Sequence, residues 1–283
     1  MAADLHIHSS ASDGSCTPEQ IVDMARSLGI RTISIADHDS VEGVERALDY
    51  GLRKQIEVIP SVELSSESEM GDFHFIGYFV DHKNISLQRH LAELREKRLV
   101  RAGKIVDKLT DFSIDLDFDQ ILADSQGGSV GRVHLARELI RKGYAQSVGD
   151  AFARYLSKES RFYVPKFLSE PEEVISILIR ANSVPVLAHP GLLGSEDKIR
   201  FLAEKGVRGI EVYYPKHDPW LTSRYAQIAE ELGLVKTGGS DFHGPGSQDN
   251  ESLGSVLISD QLVEELRQEH KRLSKLLLHH YYG

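Results

Sequence analysis

Short β-prone runs alternate with helical stretches along most of this 283-residue chain, and nearly every run ends on a histidine or a carboxylate. That combination leaves few folds open, because strands alternating with helices imply parallel β-structure with crossover helices. The runs are Asp4–His8, Thr32–Ala36, Val58–Leu64, Phe73–Val80, Val184–Ala188, Gly209–Tyr213 and Val235–Gly239. Between them, Thr17-Pro18-Glu19-Gln20 opens a helix with a cap and an early proline, and Gly29 stops it. Further helices are expected over Val41–Gly51, from Glu170-Pro171-Glu172 onward, over Lys198–Lys205 and over Tyr225–Leu232. Asp260–Leu278 reads as an amphipathic helix with Leu262, Leu266, Leu273 and Leu277 on one side.

The alternation breaks from about Asn84 to Phe162, where Leu87–Leu109, Phe118–Ala123, Val133–Lys142 and Val148–Leu156 all carry helical patterns. This divides the chain into 1–83, the first part of an α/β body, 84–164, an all-helical insertion suited to a lid, and 165–283, the rest of the body with its final helix.

The placement of the polar residues carries the chemistry. Side chains two apart on a strand share a face, so His6 and His8 project together and can grip Zn²⁺, Mn²⁺ or Fe²⁺. A lone His-x-His is weak evidence. Asp13 follows in a Gly/Ser loop, Asp37-His38-Asp39 caps the second run, Glu63 ends the third and His74 lies on the fourth. His189-Pro190-Gly191 and Asp241-Phe242-His243 close two later runs. The C-terminal edge of the strands is where barrel and open α/β enzymes gather catalytic groups. Six histidines and three carboxylates repeating one placement exceed what a single tetrahedral site can use. They fit two or three divalent ions sharing a bridging carboxylate, for which Glu63 is the candidate. Without cysteine ligands the set favours Mn²⁺, with Fe²⁺ or Zn²⁺ as alternatives. Clustered ions acidify bound water and clamp both oxygens of a phosphoryl transfer, so phosphate-ester hydrolysis is the reaction expected.

Composition narrows the partners. With 33 basic against 43 acidic side chains, a formal charge of −10, extensive duplex binding is not expected, although a metal site still attracts phosphate. The single Cys16 cannot form an internal disulfide and reads as buried and inert. No signal peptide and no apolar run long enough to span a membrane is visible, which together with Cys16 gives a cytoplasmic expectation.

Taken together, Asp4-Leu5-His6-Ile7-His8, Asp37-His38-Asp39, Glu63, His74, His189-Pro190 and Asp241-Phe242-His243 resemble the motifs of the PHP (polymerase and histidinol phosphatase) family, in order along the whole chain. The resemblance implies a distorted (β/α)7 barrel with a trinuclear metal centre at the strand C-termini. It implies His6, His8, Glu63 and Asp241 on one ion, Glu63, His74 and His189 on a second, and Asp13, His38 and His243 on a third. Several members carry histidine where this chain has Asp13. The likeness is greatest to the trp-operon-linked phosphoesterases, through the helical insertion and Gly131-Arg132-Val133-His134-Leu135-Ala136. Many members have proline where this chain has Val133.

Such relatives remove the 3′-phosphate of nucleoside 3′,5′-bisphosphates, and some trim short RNA from the 5′ end. A small phosphorylated nucleotide or short single-stranded RNA is thus the expected partner. Hydroxide held between the ions would attack phosphorus, with Asp241 helping to deprotonate it and Arg132 and His134 orienting the second phosphate. Lys166 is a weaker phosphate contact. The basic run Arg95–Lys104 reads as a solvated helix face, and Phe73, Phe75 and Tyr78 as core. Rival readings are a histidinol-phosphate phosphatase, a DNA 3′-exonuclease and a non-enzymatic nucleotide-binding module on the same scaffold.

Overall fold

A computed structural model describes residues 2–125, 128–166, 169–245 and 251–282. Strand β1 (Ala2–Ile7) runs parallel to β2 (Thr32–Ile35), and β2 parallel to β3 (Glu57–Ser68). Helices α1 (Pro18–Ser27) and α2 (Val44–Lys54) make the two crossovers. The start of α1 follows from its sequence, since Thr17 and Gln20 form a reciprocal capping box around Pro18.

The parallel order then breaks. Strand β4 (Gly71–Tyr78) pairs antiparallel with β3 on one side and with β5 (Val184–Leu187) on the other. A tight hairpin from Ser68 to Gly71 reverses the chain, with Gly71 at φ 127°, which a side chain would strain. The reversal puts the N-terminal half of β4, carrying His74, at the same rim as the C-terminal ends of its parallel neighbours. Strands β6 (Gly209–Tyr213) and β7 (Val235–Gly238) continue in parallel. Beyond β7 the chain turns back onto β1, where the His8 N–H donates to Phe242 O at 2.8 Å and the Asp241 N–H to His6 O at 2.8 Å. These bonds close the barrel at its upper rim. At the lower rim a two-residue strand, β8 (Ile258–Ser259), covers β1 antiparallel.

Residues 85–156 form the helical insertion, made of α3 (Ile85–Thr110), α4 (Phe118–Asp124), α5 (Arg132–Arg141) and α6 (Val148–Ala151), which runs into a π-turn over Phe152–Leu156. They bury a core of their own around Ile105, Leu109, Ile121, Leu135, Leu139 and Leu156. Helix α3 belongs to both bodies. Leu87 and Leu91 near its start pack into the barrel core, while Ala102, Ile105 and Leu109 serve the insertion. Its middle turn therefore lies at the junction. Helices α7 (Pro171–Arg180), α8 (Glu196–Glu204) and α9 (Pro219–Leu232) flank the second half of the barrel. The last helix, α10 (Asp260–Tyr282), buries Val263, Leu266 and Leu273 against the barrel base. Among the described residues, no helix is long and apolar enough to cross a membrane.

Candidate metal centre

All nine chelating side chains singled out in the sequence meet at the upper rim. His6 and His8 leave β1 on one face, with their Nε2 atoms 3.1 Å apart. Asp241 Oδ1 lies 3.1 Å from His8 Nε2 and 3.4 Å from His6 Nε2. Asp241 adopts φ 53°, a left-handed conformation that aspartate tolerates better than most residues and that turns its carboxylate back over the barrel. His189, two residues past β5, is likewise left-handed at φ 30°.

Glu63 is the hub. Its Oε1 lies 3.1 Å from both His74 Nδ1 and His189 Nε2, and its Oε2 lies 2.8 Å from His38 Nδ1. His8 Nε2 and His6 Nε2 stand 3.4 and 3.6 Å from the same Oε2. Glu63 does not end β3 as the sequence suggested; the strand continues to Ser68 because its second half pairs with β4. A third group forms around Asp13, whose Oδ1 lies 3.5 Å from His243 Nε2 and 3.9 Å from His8 Nδ1, while Oδ2 is 4.0 Å from His38 Nε2. Three overlapping ligand sets result: His6, His8 and Asp241; His38, Glu63 and His74; and His8, Asp13, His38 and His243.

The donor set fits divalent cations. Buried His8 Nδ1, His38 Nδ1 and Glu63 Oε2 have no aligned hydrogen-bond partner, and leaving such groups unpaired is expensive. The His8 and His243 rings stack with centroids 4.1 Å apart. Burial, reinforced by His243 and His38, pushes His8 down to about 3. Burial also lowers His74, to about 4, despite the Glu63 carboxylate. In His38 burial acts downward too, but Glu63 and Asp13 outweigh it and raise the imidazole to about 9. Burial alone would raise Glu63 and Asp241; the surrounding imidazoles, His38 for Glu63 and His6 for Asp241, hold both well below the usual carboxylate range. The result is ionised carboxylates beside neutral His8 and His74, while, against burial, the carboxylates draw His38, and His6 through Glu211 and Asp241, toward the protonated form, so a cation entering the cluster takes the place of those protons.

Several supporting residues were not legible in the sequence. Glu211, fully buried in β6, accepts from His6 Nδ1 at 2.8 Å and from the His189 backbone N–H at 2.7 Å. It thereby fixes the His6 tautomer with Nε2 facing the cluster and anchors the turn that carries His189. A glutamate inside the apolar stretch Gly209-Ile210-Glu211-Val212-Tyr213 was the available signal. Glu211→Gln keeps the shape but weakens the acceptor, and metal affinity should fall about 10- to 100-fold; titration of the stripped protein with Mn²⁺ measures it. Asp37 accepts from Ser9 N and from the Ser9 and Ser12 hydroxyls at 2.6–2.7 Å, holding the loop that presents Asp13. The Tyr214 hydroxyl donates to Asp241 Oδ2 at 3.0 Å.

Beside the cluster lies a chamber of about 140 Å³ whose walls include Asp13, His38 and His74 and, facing them, Arg98, Arg101, Arg132 and Lys166. Arg98 and Arg101 are not part of a solvated face. Three residues apart at the junction turn of α3, they point to one side; Arg98 pairs with Asp39, and Arg101, 9% exposed, donates to Val164 O at 2.8 Å. Lys97 and Lys104, in the same run, are exposed as expected. Arg132 is held by Leu156 O at 2.9 Å and by the Phe152 ring, 5.2 Å away. Lys166 lies 3.4 Å from Asp72.

His134 lies elsewhere than a direct phosphate contact would require. It is fully buried at the start of α5, its Nδ1 accepts from the Gly131 N–H at 3.0 Å, and it does not line the chamber. Capping a helix start is what its position dictates. Cys16 is buried with no bonded partner, and Phe73, Phe75 and Tyr78 are core.

Known proteins resemble this chain over most of its length. The PHP domain profile matches residues 4–164. A 5′-3′ exoribonuclease, Rnm, of Escherichia coli is 32% identical over 249 residues, covering 86% of this chain and 85% of the relative. A 3′,5′-nucleoside bisphosphate phosphatase of Chromobacterium violaceum is 30% identical over 86% of this chain and 87% of its own length. A crystal structure from Bifidobacterium adolescentis, provisionally named a metal-dependent phosphoesterase, superposes with a TM-score of 0.87 at 30% identity, covering 93% of this chain and 94% of that one. The profile match over more than half of the chain, the identity over most of both sequences and the shared fold leave one assignment: the chain belongs to the PHP domain family.

Proposed function

We propose that the protein is a metal-dependent phosphoesterase that hydrolyses the 3′-phosphate of nucleoside 3′,5′-bisphosphates and trims short single-stranded RNA from its 5′ end. One observation carries this reading: the ligand cluster shares a wall with a small chamber lined by three arginines in a chain of net charge −10. A site built only to hold metal needs no such cations, whereas a substrate with two phosphate groups does. The relatives named for a 5′-3′ exoribonuclease and a nucleoside bisphosphate phosphatase support the same substrate class.

Two or three divalent ions, Mn²⁺ first and Fe²⁺ or Zn²⁺ next, would be held by the three ligand sets, and Glu63, within 3.6 Å of five imidazoles, is the carboxylate best placed to be shared between them. Once bound, they supply Lewis-acid polarisation of the phosphoryl oxygens and an acidified water. The chain's own residues do the rest. Arg132 presents a planar fork that matches phosphate oxygens without competing for metal, and Phe152 and Leu156 O keep it extended. Arg98 and Arg101 add positive charge to the same chamber, and Lys166 closes its edge. Asp241 is oriented by Tyr214 and by its own backbone bond to His6 O, so one carboxylate oxygen faces the cluster. His134 positions Gly131 and hence the first turn of α5 that carries Arg132. The 84–164 insertion acts as the lid that brings these arginines over the barrel, and we place the protein in the cytoplasm.

Arg132→Ala separates binding from chemistry. Its kcat/KM for adenosine 3′,5′-bisphosphate should fall about 10²-fold, equivalent to one bidentate charge-assisted contact of ~3 kcal/mol. Turnover of adenosine 3′-monophosphate, which lacks the anchored phosphate, should change little. Wild-type protein with Mn²⁺ that releases phosphate faster from histidinol phosphate than from the bisphosphate would refute the assignment.

A further inference from the structure

A second cavity of about 400 Å³ opens on the other side of His74 and Arg132. Its lining joins the cluster, through His74 and His189, to Lys158, Lys166 and Lys198. Four cationic side chains, Arg132 included, line it with one carboxylate, Asp72. Lys158 and Lys166 both approach Asp72, at 3.1 and 3.4 Å, and Lys158 also stands 3.8 Å from Glu67, so that the four cations of the groove still outnumber the two carboxylates beside them. Lys198 Nζ donates to a main-chain carbonyl, Leu193 O, at 3.0 Å, which holds the ammonium at the wall without neutralising it. Leu192, 66% exposed on the turn after His189, lines the same groove and offers an apolar surface beside the charges. A row of cations with an adjacent apolar face, open to solvent and ending at the chemical centre, suits a sugar-phosphate strand and its bases.

Resting on the phosphoesterase reading above, we propose that this groove binds the nucleotide beyond the scissile phosphate of a single-stranded oligonucleotide, with Lys158 and Lys198 on its phosphodiester and Leu192 under its base. A nucleoside bisphosphate ends at the phosphate that is cleaved and does not reach these lysines. The groove is thus the element that admits oligomers.

The test is the Lys158→Ala/Lys198→Ala double variant, whose changes lie on exposed or half-exposed side chains and should leave the fold intact. With Mn²⁺, its kcat/KM for a 5′-phosphorylated pentaribonucleotide should fall about tenfold, and the slope of log(kcat/KM) against log[salt] should flatten by about 0.7, one phosphodiester of a single strand. Turnover of adenosine 3′,5′-bisphosphate should stay within about twofold of wild type. Binding of a fluorescent pentaribonucleotide with an uncleavable methylphosphonate at its first linkage, read by anisotropy, should weaken in step. Equal losses on both substrates, or unchanged binding of the uncleavable oligomer, would overturn the proposal. Wild-type protein that cleaves the bisphosphate but neither cleaves nor binds the oligomer would overturn it while leaving the phosphoesterase reading in place. If wild-type protein cleaves neither substrate, that reading fails, and anisotropy still decides the groove.

Discussion

Asp241→Ala should lower metal-dependent phosphate release by about 10³-fold or more, because losing one ligand from a shared cluster removes several kcal/mol of transition-state stabilisation. Its carboxylate touches both His6 and His8 and accepts from the Tyr214 hydroxyl. The backbone bonds that close the barrel, His8 N–H to Phe242 O and Asp241 N–H to His6 O, do not involve the side chain. The variant should therefore fold and give an unchanged far-UV circular dichroism spectrum. A phosphate-release assay across a range of Mn²⁺ concentrations separates weakened metal binding from lost chemistry. Activity within tenfold of wild type at saturating Mn²⁺ would remove Asp241 from the centre.

Chelating the metal should make the protein acid-labile in a defined window. His8 and His74 stay neutral in the folded, metal-free chain down to about pH 3 and 4 because burial penalises their cations, whereas the unfolded chain protonates them below about 6.5. Their contribution is intact above pH 6.5 and is lost as pH falls. Asp4 acts in the opposite sense. Burial raises its carboxyl to about 6 against three backbone N–H donors, so the folded state takes up that proton first and gains stability as pH falls below 6. Between pH 6.5 and 4.5 the two histidines lose about 5 kcal/mol and Asp4 returns about 2, a net destabilisation of about 3 kcal/mol. Differential scanning calorimetry of the chelated protein should show Tm falling by about 5–10 °C over that window. Mn²⁺ should raise Tm at pH 7.5, and the increment should shrink toward pH 5 as protons compete for the imidazoles. A chelated protein whose Tm is flat from pH 6.5 to 4.5 would contradict the buried, neutral state of His8 and His74.

What the sequence made legible was whatever local chemistry determines. The alternation of runs and helices, the cap at Thr17 and the histidines at strand ends each follow from spacing and residue type, and the fold carries all of them. The antiparallel direction of β4 was not legible, because a period-two pattern is the same read in either direction and Gly71 alone marks the reversal. Helix α9 begins at Pro219 rather than near Tyr225, with Asp218 capping it through Leu221 N at 2.7 Å, a start signal ahead of the apolar residues used to find the helix. Charge was the least legible feature. Arg98 and Arg101 sit in a run that composition alone assigns to solvent, and only the passage of α3 from the barrel core into the insertion core turns them toward the site. Glu211 was hidden for the converse reason: a lone buried carboxylate has no motif until its partners, 205 and 22 residues away, are brought beside it.

Elemental analysis by inductively coupled plasma mass spectrometry, on protein loaded with Mn²⁺ and freed of excess by gel filtration, reads the cluster directly. Two or three ions should remain per chain, fewer in Glu63→Gln, since Glu63 spans four of the six imidazoles at 3.4 Å or less. Wild-type protein that emerges with no bound transition metal would contradict the account.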